Sequence, residues 1–175
     1  MKKIIFLFLF FNSISFLVSK AEATFTPTIS IQNKEYKLVG QSLLEYSFFK
    51  IDVYWISYYK SSKHNSSLLK IIYARDIEKD VSNQGWDEGL KKNLKEKISS
   101  YKKEIIWLKS KTPDFKENDV LLLLKEGSTS FIIHNGVVKA KTNNKRILEL
   151  LHLPWIGPIP IDEELKSNLL GKKPQ

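Results

Sequence analysis

Residues 119–140 show the clearest alternation of apolar runs and turns in the chain. An apolar run of Val120, Leu121, Leu122, Leu123 and Leu124 turns at Glu126-Gly127, returns over residues 129–133, and reverses again at His134-Asn135-Gly136 into residues 137–140. Asn-Gly between two apolar runs predicts a type I′ turn, in which both central residues need positive φ. The three segments therefore form an antiparallel meander. Two of its strands are apolar at consecutive positions, which predicts at least partial burial on both faces or a helix layer pressed on one of them. A short apolar segment follows around residues 147–151. Pro154, Pro158 and Pro160 then forbid a continuing helix. Residues 162–171 read as a short helix with an Asp cap, an acidic first turn and a Gly stop.

The amino-terminal half is also strand-rich. Residues 28–32 alternate with period two, Asn33-Lys34 turns the chain, and residues 35–39 complete a hairpin that Gly40 breaks or bulges. Residues 43–59 are dense in aromatic and β-branched side chains. This reads as one long strand or two, bent near residues 50–52, with apolar mass on both faces. Residues 61–67 are polar, and residues 68–74 supply the hairpin partner of 50–59. Asn65-Ser66-Ser67 matches a glycosylation sequon, a pattern common by chance.

The middle of the chain changes period. Trp86, Leu90, Leu94, Ile98, Tyr101, Ile105 and Leu108 recur at steps of four or three, and lysines fill the opposite face. This predicts a long amphipathic helix whose apolar stripe lies on a sheet. Strands, helix, strands and short helices in that order predict an α+β fold, a large antiparallel sheet covered by helices on one face.

Residues 1–23 stand apart. Lys2-Lys3 precedes an aromatic-rich apolar core over residues 4–18, and Ala21-Glu22-Ala23 is an A-x-A cleavage pattern. These are the parts of a secretory signal peptide, with residues 24–175 as the folded domain and a periplasmic or secreted location after cleavage; a signal anchor kept in the membrane is the competing reading. The core falls short of the roughly 20 residues a membrane span needs, and no later stretch is long enough. The chain has no Cys, so its fold relies on its core alone. The formal charge is +9, and removal of residues 1–23, which carry Lys2, Lys3, Lys20 and Glu22, lowers it to +7. The excess is mostly lysine, a solvated point charge. Together with the export signal this argues against nucleic acid as a partner and fits a soluble lysine-rich surface.

Catalytic and metal signatures are absent from the sequence. His64, His134 and His152 fall in a loop, a turn and a helix end without metal-ligand spacing, no cofactor-binding motif occurs, and no Gly-rich phosphate loop or nucleophile elbow is present. Arg75, at a strand end, offers a fork for a carboxylate or phenolate. In the competing reading Asp76 caps the following helix and Arg75 pairs locally. Tyr54, Tyr58 and Tyr73 each offer a flat apolar body and a hydroxyl for lining a cleft. Trp155 reads as a packing anchor.

Several segments together resemble the bacterial chalcone isomerase-like proteins. They are Gly40-Gln41-Ser42-Leu43-Leu44 with residues 48–54, the strand that ends Ala74-Arg75-Asp76-Ile77, and Pro113-Asp114 with Asp119 ahead of the meander. Phe131, Asn135-Gly136, Trp155-Ile156-Gly157 and Leu169-Leu170-Gly171 complete the set. The resemblance spans nearly all of residues 24–175. It implies an open-faced β-sandwich, a large antiparallel sheet under a helical layer, with an apolar cleft between them. Chalcone isomerases of plants cyclise a chalcone to a flavanone and hold its phenolate with an Arg on the early strand. Here that region reads Leu43-Leu44-Glu45-Tyr46, with an acid where the cation is needed. The plant Tyr, Asn and Thr set matches no position here, and the resemblance with the missing cation implies a non-catalytic domain that binds an apolar ligand, a fatty acid or a phenolic compound; Arg75, Tyr54, Tyr58 and Tyr73, singled out above from their residue types and places, would be its polar contacts. Two other readings stay open: an isomerase or lyase acting on a phenolic or enone substrate, and a module that docks on an envelope protein.

Overall fold

The computed structural model describes residues 25–46, 50–61 and 65–172. The expected signal peptide lies outside the described residues, as do Phe48, Phe49 and His64. Seven strands form one antiparallel sheet in sequence order: β1 (Thr28–Ile31), β2 (Lys34–Tyr46), β3 (Ile51–Ser61), β4 (Ser66–Tyr73), β5 (Val120–Glu126), β6 (Thr129–His134) and β7 (Val137–Thr142). Each expected hairpin is present. Gln32 and Asn33 turn β1 into β2 with φ of 50° and 61°, and Asn135 and Gly136 turn β6 into β7 with φ of 48° and 78°, both positive as the Asn-Gly signal requires.

Residues 43–59 differ from expectation. The chain reverses between Tyr46 and Ile51 instead of bending, so that Tyr46 pairs with Ile51 and Glu45 with Asp52. Lys50, at φ 48°, belongs to that turn. An apolar run across a turn looks continuous in sequence when the turn carries no Pro or Gly to mark it.

The expected long helix is also broken. It runs as α1 (Lys79–Leu94), a 3₁₀ segment (Lys95–Tyr101) and α2 (Lys102–Ser110). The break falls at Lys95, whose φ of 50° no helix accommodates. The apolar stripe survives it: Trp86, Leu90, Ile105 and Leu108 are buried and Leu94, Ile98 and Tyr101 pack beside them. Three short helices follow, α3 (Lys145–Leu150), α4 (Leu153–Ile156) and α5 (Glu163–Leu169). Pro154 sits in the first turn of α4, where the missing N–H is not needed. Asp162 caps α5 by accepting from the Leu165 N–H at 2.6 Å, and Gly171 ends the segment at φ +66°.

Helices cover one face of the sheet. Ile56, Tyr58, Leu69, Ile71, Leu121, Leu123 and Ile132 point into them and form the main core with Trp86, Leu90, Leu108 and Leu150. A smaller core occupies the other face, built from Tyr36, Tyr59, Leu68, Leu124, Phe131 and Ile133 under β1. The sheet curls there: Lys34 at the start of β2 reaches Glu126 at the end of β5 at 2.5 Å, although two strands lie between them. This explains apolar residues at consecutive positions in β3 to β6. Gly40 marks a bulge in β2 and lets α5 lie directly on the strand, because a Cβ there would overlap the Asn168 carbonyl oxygen.

Candidate functional site

A cleft of about 510 Å³ opens between the helix-facing side of β2, β3 and β4, the start of α1, and the segment from Pro154 to Asp162. That volume lies within the range of small-molecule sites. Leu44, Val53, Ile71, Leu121 and Ile161 make its lining largely apolar. Gly85 lies on the α1 side with no atom within 4 Å of where a Cβ would stand, so the helix leaves open space there.

Tyr54 and Tyr73 face each other across β3 and β4, paired in register and with ring centroids 5.8 Å apart in an edge-on contact. Tyr73 stacks on Phe115 at 3.9 Å. Trp86 and Trp155 meet edge-on at 5.3 Å on the helical side. Trp155 Nε1 donates to the Tyr54 hydroxyl at 2.8 Å, and Trp86 Nε1 donates to Thr112 Oγ1 at 3.1 Å. Trp155 is thus a packing anchor and also an orienting donor. The Tyr54 proton itself meets no acceptor among the described residues. Ser82 Oγ, also in the lining, is buried beside the Tyr73 hydroxyl, its hydrogen-bond partner.

Burial pushes the Tyr54 phenol well above its ordinary value. Burial, with the neighbouring Tyr54, does the same to Tyr73. Both stay protonated at neutral pH and are available as hydrogen-bond donors.

Arg75 lines the mouth of the cleft and is exposed. Its guanidinium has no hydrogen bond or ion pair among the described residues, so it does not pair locally. Its backbone is held nonetheless. Ala74 N–H donates to Val53 O at 3.0 Å, and Ile77 and Phe115 exchange two backbone hydrogen bonds. The expectation that Asp76 caps α1 is overturned. Asp76 points away, accepting from Lys116 Nζ at 2.8 Å and from the Glu117 N–H at 2.9 Å. Its carboxyl is held below its usual range by Lys116 and that N–H. Asp114 from the following loop takes the cap instead, accepting from the Lys79 N–H at 2.8 Å. Such a cap is illegible locally because donor and acceptor are 35 residues apart.

The structure brings three of the four predicted residues, Arg75, Tyr54 and Tyr73, to one cleft. Tyr58 shares their side of the sheet but lies beyond the lining, buried edge-on against His152 at 6.2 Å. His152 is itself buried and donates from Nε2 to Leu123 O at 2.8 Å; burial, with Lys125 nearby, pushes its pKa down to about 3. His134 does meet a carboxylate, Asp119 at 3.0 Å. Asn135 and the Lys116 N–H bind the same carboxylate, so this is a pin between a loop and a hairpin. Among the described residues no group of three His, Cys, Asp or Glu is placed to hold a metal. Sequence reasoning missed Ser82, Gly85, Glu88 and Asp162 as lining residues. Ser82, Gly85 and Trp86 share one face of α1 by helical spacing, a signal that was present.

A curled antiparallel sheet under helices, with a largely apolar cleft between the layers, defines an open-faced α+β sandwich. A family model described as chalcone isomerase-like matches residues 18–171, and the chain belongs to that family. A search by sequence among curated proteins finds no match. Among solved structures, the chain is similar to a fatty-acid binding protein of Arabidopsis thaliana, with a TM-score of 0.67 and 13% identity over 84% of this chain and 91% of that one. At that identity the likeness shows the fold.

Proposed function

We propose that this chain is a non-catalytic binding protein for an apolar, carboxylate-bearing ligand of the fatty-acid kind. The ligand lies in the cleft with its tail against Trp86 and Trp155 and its head group at Arg75. The carrying observation is an apolar cleft of about 510 Å³ whose lining includes one guanidinium without a partner among the described residues. Tyr54 adds an unused donor. The similar Arabidopsis protein is named for fatty-acid binding, which supports the same ligand class. Against catalysis stands Glu45, which lines the cleft and repels an enolate or phenolate. Export is part of the reading: residues 1–23 direct the chain across a membrane and are removed.

Native mass spectrometry of the protein purified from its own host tests these statements together. An adduct of lipid-like mass that is lost on denaturation, on a chain beginning at Thr24, is the expected result. A bare chain that also fails to bind laurate refutes the binding role. A second reading, an isomerase acting on a phenolic or enone substrate, draws on Arg75 facing the same cleft as the two phenols. Turnover of any member of a chalcone and enone panel would favour it.

A further inference from the structure

The rim of the cleft carries apolar side chains left in water. Seven large apolar residues are exposed among the described residues, and three of them, Tyr46 at 71%, Ile51 at 39% and Val81 at 51%, line this cleft. They come from three places in the chain. Tyr46 ends β2, Ile51 opens β3 as its register partner, and Val81 lies in the first turn of α1. Exposed apolar residues scattered singly need no explanation, but the convergence of three on the mouth of one cavity does. The patch leads into the site. Leu44 and Val53, two residues further in along the same strands, are half-buried, and Trp86 on the α1 side is buried.

A partner protein seated on this rim would close the mouth against exchange of the ligand. A bilayer would not. An amphiphile with an apolar tail already resides there, and its chain can pass from hydrocarbon to cleft without crossing water. The charges at the mouth narrow the kind of bilayer. The chain carries 28 Lys and Arg against 19 Asp and Glu, yet Glu45, Glu88 and Asp162 stand in this lining against Arg75, so the rim is no basic patch for anionic lipid. Apolar contact with a zwitterionic surface fits that balance. Three side chains of this size give a transient contact, suited to exchange and not to permanent anchoring. We infer that Tyr46, Ile51 and Val81 form a docking rim through which the cleft exchanges its ligand with a zwitterionic phospholipid bilayer by direct contact. This rests on the cleft being the amphiphile site proposed above and adds how the ligand reaches it.

The test is the rate at which laurate leaves the loaded protein for phosphatidylcholine vesicles. Stopped-flow fluorescence of Trp86 and Trp155, both in the lining, follows it. Transfer by contact makes the rate rise in proportion to vesicle concentration. Transfer through water makes it independent of the vesicles, because release from the cleft is then limiting. The slope against vesicle concentration therefore reads docking, and the rate extrapolated to no vesicles reads release alone. A rising rate is expected. The triple variant Tyr46→Ser, Ile51→Ser and Val81→Ser should lower the slope at least about tenfold, since each side chain gives up part of the transfer free energy of an apolar group. All three residues are exposed, and an unchanged thermal midpoint shows that the variant is folded. Tyr46→Ser alone, at the most exposed of the three, should lower the slope about threefold and serves if the triple variant melts early. A rate independent of vesicle concentration in the unsubstituted protein overturns the inference and leaves the cleft reading standing. A slope that the folded variants retain overturns it equally. If laurate does not bind at all, the cleft reading falls and the inference falls with it.

Discussion

Replacing Arg75 by Ala separates ligand binding from folding. Arg75 is exposed and makes no hydrogen bond or ion pair among the described residues, so its loss should change stability by no more than about 0.5 kcal/mol. For a chain of this size that is a shift of about 2 °C at most in the thermal midpoint. Binding should respond differently. A hydrogen bond to a charged group contributes about 1.5–3 kcal/mol, and solvent at the mouth together with Glu45 in the same lining puts Arg75 at the lower end. A loss of about 1.5 kcal/mol is roughly a tenfold weakening. The assay is a laurate titration followed by tryptophan fluorescence, run beside a thermal melt. Less than a twofold change in affinity with an unchanged midpoint would refute Arg75 as the head-group contact. A midpoint lowered by several degrees, in step with the affinity, would make Arg75 a structural residue.

Gly85→Leu should fill the cleft without harming the fold. A Cβ there meets nothing, and replacing a helical Gly gains up to about 1 kcal/mol; affinity for laurate should fall at least about tenfold while the thermal midpoint holds or rises. Gly40→Ala should do the opposite, driving a methyl group into the Asn168 carbonyl oxygen and standing 2.9 Å from the Leu169 oxygen. A loss of about 2–3 kcal/mol in urea unfolding is expected, and a change below about 0.5 kcal/mol would mean that α5 does not lie on β2. His152 makes stability depend on pH. Its folded pKa of about 3 lies below the ordinary 6.5, so the unfolded chain takes up the proton first, and stability present above about pH 6.5 is lost as pH falls toward about 3. The slope from this group approaches about 1.4 kcal/mol per pH unit, and His152→Gln should flatten it in urea titrations across that window.

The cleft lies where two kinds of element meet. Strand ends of β3 and β4 supply the phenols and Arg75, while α1 and the Pro154–Asp162 segment supply the indoles and two of the acids. Its shape depends on α5 lying directly on Gly40 and on Asn93, whose side chain bonds Ile159 in both directions, at 2.6 and 3.0 Å. The site is therefore sensitive to contacts well away from its lining.

The strands and their turns apart from the reversal near Lys50, the apolar stripe of the helical region and the capped terminal helix were legible in the chain because each is written in local period and turn chemistry. Asn135-Gly136 dictates its hairpin whatever surrounds it, and Asp162 caps α5 from three residues away. Arg75, Tyr54 and Tyr73 were legible as candidates because strand ends and aromatic strands offer the right groups. Other features depend on partners remote in sequence. The break at Lys95 has no local Gly or Pro signal, and Asp114 caps α1 across 35 residues. Tyr58 has the same residue type and strand face as Tyr54, yet it falls outside the cleft because His152 packs on it from a distant segment. Glu45, Arg75, Glu88 and Asp162 likewise come together only in three dimensions, in the lining of one cleft. Periodicity and turn chemistry act over a few residues and can be read from order alone. Which side chains share a cavity is decided by packing between layers, which only the folded chain establishes.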